Sequence, residues 1–191
     1  MNRILSALTL AMLLPVAATA QNPQTREGFG ISVGIGAGSA IFTCDGCGGS
    51  SEGGPSGYLR LGGYVSPSVL LAAESDGWTS GYAGIGAIMG VVQWYPMVTN
   101  GFHLKGGIGF SSASFSPLVF FGDPITLYSA SGFAASIGAG YDWRVARNFA
   151  LTPFVNYLQQ LGGTCSDCYD LEPGQDAEVH VFQFGLGFTW F

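Results

Sequence analysis

The four cysteines of the chain form two Cys-x-x-Cys motifs, one at Cys44 and Cys47 and the other at Cys165 and Cys168. Paired motifs of this kind can hold a metal ion, above all zinc, or can form disulfides. More than a hundred residues separate the two motifs, so their spacing gives a zinc site little support. In an oxidising compartment we expect disulfides, within each motif or between the two, with a metal site as the alternative.

Residues suited to acid–base or nucleophilic chemistry are few. The chain has two histidines, His103 and His180, and only the second has an acidic residue nearby in sequence, Glu178. A serine, a histidine and an acid can be picked from almost any chain, so this pattern carries little weight without geometry. The sequence therefore predicts no catalytic residue, no resident metal and no cofactor. The five acidic residues between positions 167 and 178 are expected to form a solvated loop.

The composition indicates an unusual outer surface. Of the 191 residues, 31 are glycine, 14% are aromatic and only 9% are charged, whereas an ordinary soluble domain carries about a quarter charged residues. The aromatic content excludes a disordered chain, and the net charge of −6 disfavours nucleic-acid binding. The outer surface of this protein therefore need not face water.

Residues 1–20 have the pattern of a cleaved secretory signal. Arg3 precedes an apolar run that ends in the small residues Ala18, Thr19 and Ala20. This run is too short to span a bilayer as a helix. We therefore predict a signal peptide over 1–20, a short N-terminal tail over 21–27 and one folded domain over 28–191.

Alternation along the rest of the chain predicts β-strands. The segment 182–190 alternates large apolar residues with Gln, Gly and Thr, and other segments alternate in the same way. The second face consists of small residues and isolated charges, which suits a crowded barrel interior better than the solvated face of a sandwich. In the fourth segment Ile88, Val92 and Trp94 disturb the alternation. Strands are predicted at about 28–43, 57–65, 69–78, 82–95, 102–115, 129–145, 149–162 and 178–191.

Short turns and aromatic residues gather at one end of the predicted strands. Turns at 66–68, 96–101 and 146–148 alternate with longer loops, among them 44–56 and 163–177. This alternation and an even strand number are typical of outer-membrane barrels, in which amphipathic rings form a girdle at the membrane interface. The predicted girdle consists of Tyr64, Trp94, Tyr95, Tyr141, Trp143 and Trp190.

These features predict an all-β fold, an eight-stranded antiparallel up-and-down transmembrane β-barrel. In hydrocarbon every backbone group must be paired, so the first strand must bond the last. Eight strands leave a lumen filled by side chains. Charged side chains that point inward by parity are expected to pair as a polar plug, with a narrow gated path as the alternative. They are Arg60, Glu74, Lys105, Asp142 and Arg144.

Over its whole mature length the chain resembles the small eight-stranded outer-membrane barrels of the OmpA transmembrane-domain, OmpX and OmpW type. The resemblance rests on the signal, on the turn region 140–148 (GYDWRVARN) with the following LTPF, and on a last strand that ends in Phe191. It implies a monomer in outer-membrane lipid whose C-terminal strand is recognised by the barrel-assembly machinery. The apolar face of that strand ends at Trp190, so Trp190 and Phe191 are predicted to form the assembly signal.

An apolar segment, 115–129, lies between the fifth and sixth predicted strands. It contains Phe115, Leu118, Phe120 and Phe121. The segment either extends the two strands beyond the membrane as a hairpin or, as the resemblance to OmpW-like barrels implies, forms a mouth that admits a hydrophobic ligand.

The predicted function is a non-enzymatic structural or surface-interaction role in the outer membrane of a Gram-negative bacterium, with loop 1 (44–56) and loop 4 (163–177) extracellular. One alternative is passive transport of small hydrophobic molecules through the apolar mouth. A second alternative is a lipid-modifying barrel enzyme. The small barrels that deacylate lipid A carry a His-x-Ser pair, which neither histidine of this chain matches.

Overall fold

The computed structural model of the protein describes residues 26–44, 47–81, 83–115, 118–120, 123–125, 128–165 and 176–191. The predicted signal peptide and residues 21–25 of the predicted tail lie outside this part of the chain. Among the described residues, no helical segment has the length and apolarity needed to cross a bilayer.

The described residues form eleven strands, which follow one another along the chain. They are β1 (Phe29–Cys44), β2 (Cys47–Ser66), β3 (Val69–Thr79), β4 (Ala83–Trp94), β5 (Phe102–Phe115), β6 (Leu118–Phe120), β7 (Asp123–Ile125), β8 (Tyr128–Tyr141), β9 (Trp143–Ala146), β10 (Phe149–Cys165) and β11 (Asp176–Trp190).

The strands form one closed antiparallel barrel. Sequence neighbours pair from β1 to β5, β5 pairs with β8, and β11 pairs with both β10 and β1. The short β9 continues β8 beyond Asp142, and both pair with β10, so the wall has eight strands. β6 and β7 form a separate hairpin between β5 and β8. The predicted eight-stranded antiparallel barrel is confirmed.

The register of the strands sets the width of the barrel. A row of directly paired residues that starts at Ser32 on β1 and passes once around the wall returns to β1 at Phe42, a stagger of ten residues. With a rise of about 3.3 Å per residue and strands about 4.8 Å apart, this stagger tilts the strands by about 40°. Such a barrel has room inside for side chains and little else. The row runs through Arg60, Glu74, Met89, Gly109, Ala134, Gln160 and Val179.

The predicted loop over 44–56 is wrong. β1 ends at Cys44 and β2 already begins at Cys47, with Ser51 paired to Ile41 and Glu52 to Ala40. The first part of β2 is a Gly- and Ser-rich stretch whose backbone is paired with β1. This stretch lacks an apolar alternation, so sequence periodicity could not reveal that it is a strand. At the other predicted long loop, β10 runs to Cys165 and β11 begins at Asp176.

Strand β4 alternates regularly, contrary to the disturbance expected there. Ile88, Val92 and Trp94 face outward, while Ile85 and Met89 are buried in the lumen. Both faces of β4 are apolar because its inner face belongs to an apolar part of the lumen. Gly84 and Gly86 lie on the outer face of β4, whereas Gly34 and Gly38 of β1 face the lumen.

Glycines let β1 and β11 approach closely on the inner side of the wall. Gly36 on β1 is paired with Gly185 on β11. A Cβ atom at Gly36 would collide with the carbonyl oxygen of Phe184 and the Cα atom of Gly185, and a Cβ atom at Gly185 would meet the backbone of Ile35 and Gly36. The strand pair that closes the barrel therefore requires glycine at both positions.

Gly36→Ala is expected to lower the free energy of unfolding by about 1–3 kcal/mol, because the backbone it would strike cannot move away as a side chain could. Gly86→Ala is the matched control, since nothing lies within 4 Å of the position its Cβ would take. Urea unfolding in lipid vesicles, followed by tryptophan fluorescence, measures both variants. Equal stability of the two would contradict the close approach of β1 and β11.

Candidate functional site

The lower lumen, at the end of the barrel that holds the chain termini, is centred on Glu74. The guanidinium of Arg60 donates from Nε and Nη2 to Oε2 of Glu74, both at 2.6 Å, and the ammonium of Lys105 lies 2.5 Å from Oε1. The strand register brings Arg60 on β2 opposite Glu74 on β3, and Lys105 reaches them from β5. All three side chains are at most 7% exposed. The carboxylate of Glu74 thus forms ion pairs with two buried cations.

Hydrogen bonds continue from this cluster across the lumen. Arg60 Nη1 donates to Gln93, Gln93 donates to the hydroxyl of Tyr95, and Tyr95 donates to Oδ2 of Asp142 at 2.7 Å. Thr152 donates to the other oxygen of Asp142 at 2.9 Å. The Thr152 hydroxyl also contacts Thr189, which contacts Ser32, which contacts Tyr58. These bonds connect side chains of β1 to β5, β10 and β11, and they include Asp142, which lies between β8 and β9.

A second polar layer lies above the first. Asp76 on β3 accepts from the amides of Asn156 on β10, at 2.8 Å, and Gln183 on β11, at 2.7 Å. Asn156 also donates to Gln183 at 2.7 Å. Asp76 is a buried lumen acid that sequence reasoning missed, although it has the same parity as Glu74 two residues earlier.

The upper lumen is an apolar core. The buried side chains of β3, β4, β10 and β11 fill it, and the indole of Trp78 donates to the carbonyl oxygen of Gly38 at 3.1 Å. Sequence reasoning expected small residues and isolated paired charges in the lumen and missed this core. Its main members are Trp78, Ile85, Met89, Leu158, Val179 and Val181.

Two arginines close the lumen at the base of the barrel. Arg26, 1% exposed, donates to the carbonyl oxygens of Val98 and Asn100 and lies 3.7 Å from the ring centre of Tyr95. Arg144 lies 3.7 Å from the ring centre of Phe191, and that ring stacks on Tyr64 at 6.0 Å. The residues after the predicted signal and at the C-terminus therefore cover the base.

Two members of the predicted aromatic girdle are in the lumen, so the prediction is wrong for Tyr64 and Tyr95. Their parity is that of Arg60 and Gln93, which point inward. Tyr95 is 0% exposed, and its hydroxyl lies 3.3 Å from that of Tyr64. The other predicted members, Trp94, Tyr141, Trp143 and Trp190, lie on the outer face of the wall.

The C-terminal residues have different surroundings. Trp190 faces outward and packs against Phe149 at 5.1 Å, whereas Phe191 is directed under the lumen. Their role as an assembly signal stays a prediction.

The two histidines lie on opposite sides of the wall. His103 is buried at the base, 3.3 Å from the carbonyl oxygen of Gly101 and 3.7 Å from Asp142. His180 faces outward, where its two ring nitrogens contact the Tyr157 hydroxyl and the Glu178 carboxylate.

Several predicted site residues fall beyond the described side chains. Only the backbone is described for Cys44, Cys47 and Cys165, and Cys168 lies outside the described residues. In the predicted apolar mouth the same holds for the side chains of Phe115, Leu118 and Phe120 and for the whole of Phe121. Within the described ranges, no three His, Cys, Asp or Glu side chains are grouped so as to hold a metal ion.

The polar layer leaves little free space. A cavity of about 10 Å³, lined in part by Ser32, Arg60, Gln93 and Thr189, lies within it, which is room for about one water molecule. This arrangement can hold charges and stiffen the barrel.

No protein-family model and no curated sequence matches the chain. Among solved structures, neisserial surface protein A is 13% identical with a TM-score of 0.59, over 85% of this chain and 96% of that one. Ail of Yersinia pestis, solved with the heparin analogue sucrose octasulfate, is 14% identical with a TM-score of 0.54, over 85% and 99%. The outer membrane protein AlkL is 11% identical with a TM-score of 0.50, over 90% and 93%. The protein thus has the fold of the small eight-stranded outer-membrane barrels.

Glu74→Gln is expected to lower the free energy of unfolding by about 3–5 kcal/mol, because it leaves two buried cations without their carboxylate. Adding Lys105→Met should recover part of the loss, since one uncompensated cation is removed. Glu27→Gln is the control, because Glu27 is exposed at the base. Urea titration in vesicles measures all three. Unfolding of Glu74→Gln at the same urea concentration as the control would rule out this role for Glu74.

Proposed function

We propose that this protein is a non-enzymatic outer-membrane barrel with a sealed lumen, which acts through its outer and exposed surfaces in a structural or surface-interaction role. The sealed lumen is the observation that carries the proposal. Arg26 and Phe191 cover its base, paired charges and a second polar layer around Asp76 lie above them, and an apolar core lies above these layers. An ion entering this path would have to displace buried ion pairs and then cross an apolar core, and both steps are costly.

The outer wall supports a membrane location. Large apolar residues are exposed on it, among them Ile88, Ile108, Phe110 and Ile137, each at least 66% exposed. Such a surface would promote aggregation in water, and a closed sheet is the form in which strands can cross hydrocarbon. The predicted signal and the fold shared with outer-membrane proteins favour the outer membrane. By the usual arrangement of these barrels, the termini and short turns face the periplasm, and the connections between β1 and β2 and between β10 and β11 face outward.

The distribution of charge restricts the surface partners. Four of the six basic residues, Arg26, Arg60, Lys105 and Arg144, are buried. Arg147 lies at the base and Arg3 in the predicted signal. The exposed end opposite the termini therefore offers no basic side chain, so a polyanion such as the heparin analogue bound by Ail is not the expected partner.

The geometry supports catalysis and transport less well. His103 is buried and packs against the ring of Tyr95, which Arg26 covers, so these contacts block access to it from the base. The apolar core leaves no path through the described lumen for a small hydrophobic molecule. The burial of His103 and the filled core favour a barrel that catalyses no reaction. Transport of a hydrophobic molecule would depend on the segment around Phe120 and Phe121.

The mature protein is expected to give no stepwise conductance in planar phospholipid bilayers in 1 M KCl, because its lumen is filled along its length. A large trimeric porin inserted under the same conditions is the positive control. Insertion is checked separately by protection of the barrel from added protease in vesicles.

Discrete channel openings at a frequency that scales with inserted protein would overturn the sealed-lumen proposal. Hydrolysis of labelled lipid A by the purified barrel, abolished in His180→Ala, would overturn the non-enzymatic assignment.

A further inference from the structure

Five side chains form a continuous stack under the lumen, at the base of the barrel. The guanidinium of Arg26 lies 3.7 Å from the ring centre of Tyr95, and the Tyr95 and Tyr64 rings lie 6.2 Å apart. The Tyr64 ring stacks on Phe191 at 6.0 Å, and the guanidinium of Arg144 lies 3.7 Å from the ring centre of Phe191. In this basal stack a cation lies at each end of three aromatic rings, whose faces attract positive charge.

The basal stack crosses the β1–β11 seam, where the first and last strands of the wall pair. Phe191 follows β11, and its backbone N–H donates to the carbonyl oxygen of Asn148 at 3.2 Å on that side of the seam. Its ring stacks on Tyr64 of β2, which lies beyond β1 on the other side. A separation of β1 from β11 would therefore pull this ring contact apart.

Arg26 connects the start of β1 to the opposite side of the wall. Four strands separate the seam from the β4–β5 turn in either direction, so this turn lies opposite the seam. Arg26 donates there to the carbonyl oxygens of Val98 at 3.2 Å and Asn100 at 2.6 Å. An outward movement of β1 would withdraw the guanidinium from these carbonyl groups and from the ring of Tyr95.

Gly28 turns the chain from β1 toward the space under the lumen. Its φ of +77° lies in the left-handed region, which favours glycine, and its carbonyl oxygen accepts from the backbone N–H of Tyr64 at 2.9 Å. Arg26, before this turn, is buried, whereas Phe29, after it, is 60% exposed on the outer wall. The backbone that precedes β1 thus directs Arg26 into the basal stack.

We propose that the basal stack is a latch that holds the lower end of the β1–β11 seam closed. In hydrocarbon an opened seam would leave backbone groups unpaired at high cost, but water at the base removes that protection. Opening of the seam is therefore expected to start at the base. The contacts of Arg26 and Phe191 require the completed ring of strands, so they slow opening and leave earlier folding steps unchanged.

Hydrogen–deuterium exchange of the mature, folded protein in detergent micelles, resolved by peptide, measures seam opening. The Arg26→Met variant keeps an apolar side chain and removes the cation. Backbone amides of the lower seam, in residues 31–35 and 186–190, are expected to exchange about tenfold faster in this variant. Amides of the β3–β4 ladder, in residues 71–75 and 88–92, are expected to keep their wild-type rates.

Matched variants control for the chemistry of each substitution. Arg147→Met makes the same change at an exposed arginine of the base and should leave exchange unchanged. Phe191→Leu removes the ring from the stack and should speed exchange at the lower seam about threefold to tenfold. Phe184→Leu is its control, because Phe184 lies on the outer face of β11 and is 54% exposed. Resistance of each folded barrel to SDS confirms folding.

Two outcomes would overturn the latch. One is exchange at the lower seam of Arg26→Met and Phe191→Leu that matches their controls. The other is an equal acceleration in the β3–β4 ladder, which would show that the basal stack stabilises the whole barrel and has no particular effect on the seam.

Discussion

The pairing of β1 with β11 is the constraint on which the rest of the structure depends. It closes the sheet, and with it every ladder in the wall is paired. Closure at a stagger of ten residues fixes a narrow interior. Gly36 and Gly185 make this pairing possible, because any side chain at either position would strike the facing backbone.

A narrow interior must be filled, and this protein fills it in layers of different chemistry. The charged residues collect near the termini, where Glu74 neutralises Arg60 and Lys105. The far half is mainly apolar, and its polar groups are few, such as the Trp78 indole, which donates to the carbonyl oxygen of Gly38. A filled lumen leaves the outer wall and the exposed strand ends as the surfaces available for function.

Parity decided which predictions from the sequence were right. The three ion-paired residues Arg60, Glu74 and Lys105 were correctly predicted to point inward, because alternate residues of a strand face opposite sides. The same rule would have put Tyr64 and Tyr95 inside, but their position beside short turns suggested a girdle instead. Asp76 was missed although it shares the parity of Glu74. The strand over 47–56 had no periodic signal, since it is held by backbone bonds to β1.

The sequence by itself determined the number of wall strands, the inward and outward faces and the lipid-compatible exterior. These follow from local alternation and composition, which each residue carries with it. Only the tertiary structure decided which inward residues meet. Arg60 and Glu74 face each other through strand register, whereas Lys105 joins them, and Asn156 and Gln183 meet Asp76, across the lumen of a closed, staggered barrel. Such contacts join residues far apart in the chain, so no local pattern could reveal them.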